Sequence, residues 1–409
     1  MPMFLRLIQL PAVRFVAGAL LCFAASTQAY AQQADDTRAG EQARLQAEKA
    51  KQLMPLEGNR IEQALVRFGH FGLLGDVPRG FYPWFGSVLG GGGVAVGGGY
   101  QAHFADTGAF NAMAGWSYRN YKLLESKVVL PTFADDRVRA VVQAKWIDAP
   151  RVSFYGLGND SSKDAKTSYL YRPGRLGGSI GVNVTDWFTV GGGGDYLDVQ
   201  TGAGRLGTSI AAKFTPATAP GLGQRVKYGI GRVFAEIDWR QSPGYTRRGG
   251  LYRIEWSNYA QTGSGPYSFQ QVDIDLRQFI PLLRENWVLA FRGAASMTST
   301  SSTEAVPYFM MPYLGSGETL RAFGNRRFRD RNSLLLQAEY RWTPAHFIDM
   351  AIFCDAGKVA AQRGDLNFSG LHKDFGIGIR LHGPKFTAIR LDVAKSKEGF
   401  GIIISTGMF

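Results

Sequence analysis

Five guanidinium groups stand at Arg321, Arg326, Arg327, Arg329 and Arg331, in the stretch GSGETLRAFGNRRFRDRNSLLLQAEYRW. A guanidinium stays charged and makes two-pronged bonds to carboxylates or phosphates. Such a cluster can bind nucleic acid, sit as solvated loop charge, or plug an interior with buried charge. The other reactive residue types point nowhere. His70, His103, His346, His372 and His382 form no metal-ligand spacing, so no metal and no cofactor are expected. The glycine runs at 90–93 and 191–194 lack the Gly-Lys-Ser/Thr of a phosphate loop. No nucleophile–histidine signature is evident, so no catalytic residues are assigned and the chain is not read as an enzyme.

What positions the arginines is set first by export. Arg6 and Arg14, the apolar FVAGALLCFAA and the AYA at 29–31 make residues 1–31 a secretory signal peptide. Cys22 lies inside it without the small preceding residue of a lipoprotein. Its removal leaves 44 basic and 33 acidic residues, 44 − 33 = +11, and one cysteine, Cys354, so no internal disulfide can form. A basic exported chain is a poor match for nucleic acid, and no nucleic-acid partner is expected. The chain is 45% hydrophobic and 13% aromatic with 52 glycines. Beyond residue 31 it has no run of the roughly 18 apolar residues that a membrane helix needs.

Residues 32–92 read as a leader: a thin-striped helical or coil segment, then the Gly/Pro/aromatic GDVPRGFYPWFGSVLGGGG, expected to tuck into the mouth of the domain beyond it. From 93 to 409 the texture is period-2. Val233, Ala235, Ile237 and Trp239 oppose Arg232, Glu236, Asp238 and Arg240. Tyr252, Ile254 and Trp256 oppose Arg253 and Glu255. Val272, Ile274 and Leu276 oppose Gln271, Asp273, Asp275 and Arg277. Arg292, Arg390 and Asp392 fall on the same polar side, and Trp187, Trp239, Trp256, Trp287 and Trp342 sit near the ends of the apolar one. Sixteen segments are expected, starting near 93, 109, 121, 136, 166, 175, 188, 225, 245, 267, 286, 333, 347, 373, 385 and 400. The class is all-β: a sixteen-stranded antiparallel transmembrane barrel, with the polar face inward. In lipid only helices and closed barrels satisfy their backbone groups. The terminal Phe409 reads as an outer-membrane assembly signal, with Gly407 a mild departure. The expected location is the bacterial outer membrane.

Parity puts Glu339 on the inward face of one strand and Asp355 on that of the next. Both are candidate partners for a loop arginine, and Cys354 falls on the opposite, apolar side.

The stretch 315–359 resembles the barrel domain of the BamA/TamA superfamily, the bacterial surface antigen family. Leu320-Arg321-Ala322-Phe323, preceded by GSGET, matches its Val-Arg-Gly-Phe/Tyr motif on a long loop after the eleventh strand. LLLQAEYRW and FCDAGKVA resemble the next two strands. GFYPWFG and FYGLGND resemble members without periplasmic domains. Two departures stand out. Ala322 replaces a glycine whose φ could need to be positive. Residues 32–80 leave too little length for the POTRA modules common in the family.

The resemblance implies that the loop folds back into the barrel and that Arg321 locks it on Glu339 or Asp355, with Phe323 packed beside it. It further implies that the first and last strands meet at a weak, glycine-bearing seam and that the barrel assists protein insertion or translocation. Its partners would be outer-membrane lipid, the barrel assembly machinery and client proteins. A passive or gated channel favouring anions, and a structural surface antigen, are the alternative readings.

Overall fold

The computed structural model describes residues 79–205, 207–282, 286–345, 347–383 and 386–405. The signal, most of the leader and Phe409 lie outside them. The sheet takes in β1 (Gly80–Gly86), β2 (Ala95–Phe104), β3 (Gly108–Ser117), β4 (Lys122–Val129), β5 (Val138–Phe154), β6 (Thr167–Thr185), β7 (Phe188–Ala203) and β8 (Arg225–Asp238). It continues through β9 (Gly249–Gln261), β10 (Phe269–Leu282) and β11 (Trp287–Ser299). A two-stranded insert, β12 (Tyr313–Leu314) and β13 (Phe328–Arg329), comes next. The last strands are β14 (Asn332–Ala345), β15 (Ile348–Ala360), β16 (His372–His382), β17 (Thr387–Ser396) and β18 (Gly399–Ser405).

The sixteen sheet strands pair antiparallel in chain order into a nearly closed barrel. Among the described residues, no backbone ladder joins β1 to β18.

The count of sixteen holds, but its makeup differs from the expectation. The segment placed in the leader is the first strand, so the sheet begins at Gly80 and not at 93. The segments expected at 166 and 175 are one strand of 19 residues, β6. Pro173 and Gly174 resemble a turn in the sequence, yet both hold the ladder, opposite Val199 and Asp198. Pro83 lies in an edge strand, where a missing amide hydrogen is tolerated.

Alternation works as the residue types dictate. Val233, Ile254, Phe291, Ile352, Ile377, Leu391 and Ile402 are exposed on the outer wall, with Trp187, Trp239 and Trp287. The polar partners turn inward and pair: Arg253 with Glu236 at 2.8 Å and Glu255 at 2.6 Å, Arg277 and Arg292 with Asp275 at 2.7 and 3.0 Å, Arg232 with Asp195 at 3.4 Å. Asp273 accepts from Gln271 at 2.9 Å, and Asp238 pairs with Arg240 at 2.8 Å. Cys354 faces out, as parity requires.

Connections at one end of the barrel include the two-residue 186–187. Those at the other include 204–224 and 300–331. Short periplasmic turns and long outer loops are the pattern of bacterial barrels, which puts the arginine loop on the outer side. The apolar core lies inside the outer half of the lumen. Tyr308 of the long loop packs edge-on against Phe154 and Tyr169, at 5.2 and 4.9 Å between ring centres.

At the first hairpin, Tyr82 turns inward and its ring covers Gly99, where a Cβ would fall 2.3 Å from it. This glycine of β2 makes room for an aromatic neighbour. β2 is itself an interior strand, so the seam strand is β1 rather than the segment expected to start near 93.

Candidate functional site

The long loop turns back into the barrel as a hairpin. Tyr313 pairs with Arg329 and Leu314 with Phe328, and the Arg326 amide donates to the Gly315 carbonyl at 2.7 Å. Its chain direction puts Arg321 in mid-lumen. There the Arg321 Nε and Nη2 donate to the two oxygens of Asp355 at 2.7 and 2.9 Å. Nη1 reaches Glu339 at 3.1 Å and Asp392 at 3.0 Å. The guanidinium lies over the Phe353 ring, 3.5 Å from its centre, a favourable cation–π position. Its side chain is 1% exposed and those of its acids 0%.

The wall supplies the remaining charge. Glu339 also takes Arg341 and Arg380, both at 2.7 Å. Asp392 takes Arg380 at 3.1 Å and Arg390 at 3.3 Å. Asp374 accepts the Ala322 amide at 3.1 Å. Arg321, Arg341, Arg380 and Arg390 thus share the carboxylates of Glu339, Asp355 and Asp392, with Asp374 buried opposite Asp355. Burial of such groups is tolerable only when each finds partners, and loss of one leaves an uncompensated charge. The arrangement can hold a loop.

Of the sequence-derived residues, Arg321, Glu339 and Asp355 come together, and Asp392, expected only to line the lumen, joins them directly. Arg390 belongs to the same network and donates to the Gly317 carbonyl at 2.7 Å. Phe323 is displaced from its expected place. It packs with Leu314, Leu320, Phe328, Leu335 and Val359, and the ring on the guanidinium is Phe353. Ala322 is not among the non-glycine residues with positive φ, so its Cβ carries no strain there. Asp374, Arg380 and Phe353 were missed. The signal for the first two was their shared parity in HKDFGIGIRLH.

The other loop arginines are mostly buried too. Arg326 and Arg329 both donate to the Tyr169 hydroxyl, at 3.2 and 3.0 Å, and Arg327 pairs with Glu398 at 2.9 Å. Only Arg331 is half-buried. The Arg327–Glu398 pair ties the loop to the turn before β18. So does Gly401, on the inward face of β18, where a Cβ would fall 2.6 Å from the Arg321 carbonyl oxygen. Gly401→Val should therefore push loop and strand apart, at a cost of about 1–3 kcal/mol for overpacking. The expected readout is a lower unfolding temperature, with faster hydrogen exchange confined to β18 and residues 315–327.

A second polar cluster lies at the periplasmic end. Tyr245 donates to Asp349 at 2.8 Å, stacks on His382 at 4.1 Å between ring centres, and receives Arg247. It pins the 239–248 turn to β15 and β16.

The comparisons with known proteins agree with this fold. The Omp85 superfamily domain matches residues 104–400. BamA from Haemophilus ducreyi, in a structure lacking POTRA domains 1–3, superposes with a TM-score of 0.59 at 14% identity. The match covers 84% of this chain and 77% of that one. CdiB from Escherichia coli gives 0.52 at 10% identity, covering 78% of this chain and 59% of its own. No curated protein sequence matches. The family model spans well over half of the 409 residues, and the fold it describes is the one seen. This chain is a bacterial outer-membrane barrel and belongs to the Omp85 superfamily.

Proposed function

We propose that this barrel assists the insertion or translocation of proteins at the outer membrane, through strand edges rather than through an open pore or covalent chemistry. The observation that carries this reading is the loop anchored in mid-lumen by Arg321, which occupies the path a solute would take. The seam supports it: β1 and β18 share no ladder among the described residues, so each presents an edge to which an incoming strand could pair. Client proteins and assembly machinery of the outer membrane are the partners this reading implies. The roles of Arg321, Glu339 and Asp355 as a lock are part of the same proposal.

The channel reading rests on the inward arginines, which would favour anions in an open pore. Yet Arg232, Arg253, Arg277 and Arg292 all have carboxylate partners, which neutralises much of that field. Single-channel recording separates the two. Purified protein in planar bilayers should give small, flickering currents, as a plugged barrel does. Large steady currents with anion preference would replace the insertion reading with the channel one.

A further inference from the structure

At the outer end of the barrel a cavity of about 510 Å³ opens between the turn after β1, the turn after β3, the tops of β5 and β6 and the tip of the long loop. Three cations line it: Arg119, Arg151 and Lys166. Ser153, Ser168 and Asn325 contribute polar groups, and no aspartate or glutamate is among the lining residues. This sets the cavity apart from the barrel around it. Arg172, Arg175, Arg225 and Arg253 each have a carboxylate within 2.6–2.8 Å. Among the described residues, Arg119 donates to the Gly91 carbonyl at 2.9 Å and lies 5.3 Å over the Tyr118 ring, Lys166 lies 5.9 Å over the Tyr155 ring, and neither pairs with a carboxylate. No carboxylate pairs with Arg151 there. Three positive charges on one concave surface repel each other until an anion enters.

We infer that this cavity is a binding site for a phosphate-bearing saccharide. Phosphate oxygens accept several charge-assisted bonds at once, which suits two guanidiniums and an ammonium. The hydroxyl and amide side chains, with the Tyr155 ring, suit a sugar. The volume fits a phosphorylated monosaccharide or one end of a larger glycan. The site faces the outer side, where such a group could come from the headgroup of a phosphorylated glycolipid or from free solute. Its walls also connect two distant parts of the barrel. Asn325, at the tip of the locked loop, lies against Gly90 and Gly91 in the turn after the seam strand β1. An occupant would bridge them.

The test uses the full-length protein with two probes. Glucose 6-phosphate is titrated by calorimetry in detergent, and lipid A is supplied in phosphatidylethanolamine vesicles, read by hydrogen-exchange protection of residues 151–168. Saturable binding of at least one probe is expected. The double variant Arg151→Gln, Lys166→Gln should weaken it at least tenfold. Lys166→Gln alone, at an exposed loop position, should weaken it about threefold without affecting folding, as checked by heat-modifiable gel mobility. Arg137→Gln, which removes an exposed cation at the opposite end, should leave binding unchanged. Response to lipid A alone would identify a lipid headgroup, and response to glucose 6-phosphate a soluble ligand. Saturable binding of neither probe, or equal weakening by Arg137→Gln, would overturn the assignment.

Discussion

Arg321→Ala should be the most damaging single substitution in the loop, lowering stability by about 3–5 kcal/mol, the range for removing one partner of a buried ion pair. The measurement is unfolding temperature in detergent, with single-channel conductance as the second readout, since a released loop would open the lumen. The three acids around Arg321 are not equivalent. Glu339 keeps Arg341 and Arg380, and Asp392 keeps Arg380 and Arg390. Asp355 keeps the Gln337 amide, at 3.0 Å, but no second cation among the described residues. Asp355→Asn should therefore couple to Arg321→Ala more strongly than Glu339→Gln does, with a coupling energy on the order of 1–3 kcal/mol. Arg321→Lys should recover part of the loss, because an ammonium cannot make the two-pronged pair with Asp355. Additivity with both acids would mean that the loop is held by its apolar contacts and not by charge.

A disulfide across the seam should abolish the proposed insertion activity while sparing the fold. Phe85 on β1 and Phe400 on β18 are both exposed on the outer wall, at the same end of the two edge strands. In a Cys354→Ser background, Phe85→Cys with Phe400→Cys should oxidise to a crosslink, which requires Cα atoms within about 7 Å. The crosslinked barrel should keep its heat-modifiable mobility. Insertion of an unfolded client barrel into proteoliposomes should fall at least tenfold and return on reduction. Full activity in the crosslinked form would exclude opening along this line.

Much of this was legible in one dimension. Period-2 alternation assigns Arg253, Asp275 and Arg292 to the lumen because only one face of such a strand can meet lipid, and the same parity turns Glu339 and Asp355 inward, where the family resemblance placed Arg321. What stayed hidden depended on curvature or on composition. Asp392 lies 71 residues from Arg321, and no local pattern shows that β17 bends round to meet the loop. Phe353 displaces Phe323 because the ring on the wall is already beneath the guanidinium, while Phe323 finds a larger apolar surface beside Leu335 and Val359. β1 escaped because Gly80, Pro83 and Gly86 lower strand propensity, and only pairing with β2 compensates. β6 was split because Pro173-Gly174 mimics a turn when its neighbours are unknown.

The Arg321 contacts also carry a time order. Their sequence separations are 18 residues to Glu339, 34 to Asp355 and 71 to Asp392, and all three acids come after the loop in the chain. Contacts between distant residues form late, because the chain between them must first be organised. The loop can engage the hairpin of β14 and β15 early, as a local event. It cannot complete its anchorage until β17 has been added. Until then Arg321 and Arg380, on the loop and on β16, both lack their Asp392 partner. The arginine that anchors the finished loop thus also rewards completion of the wall, because its last carboxylate arrives only with β17.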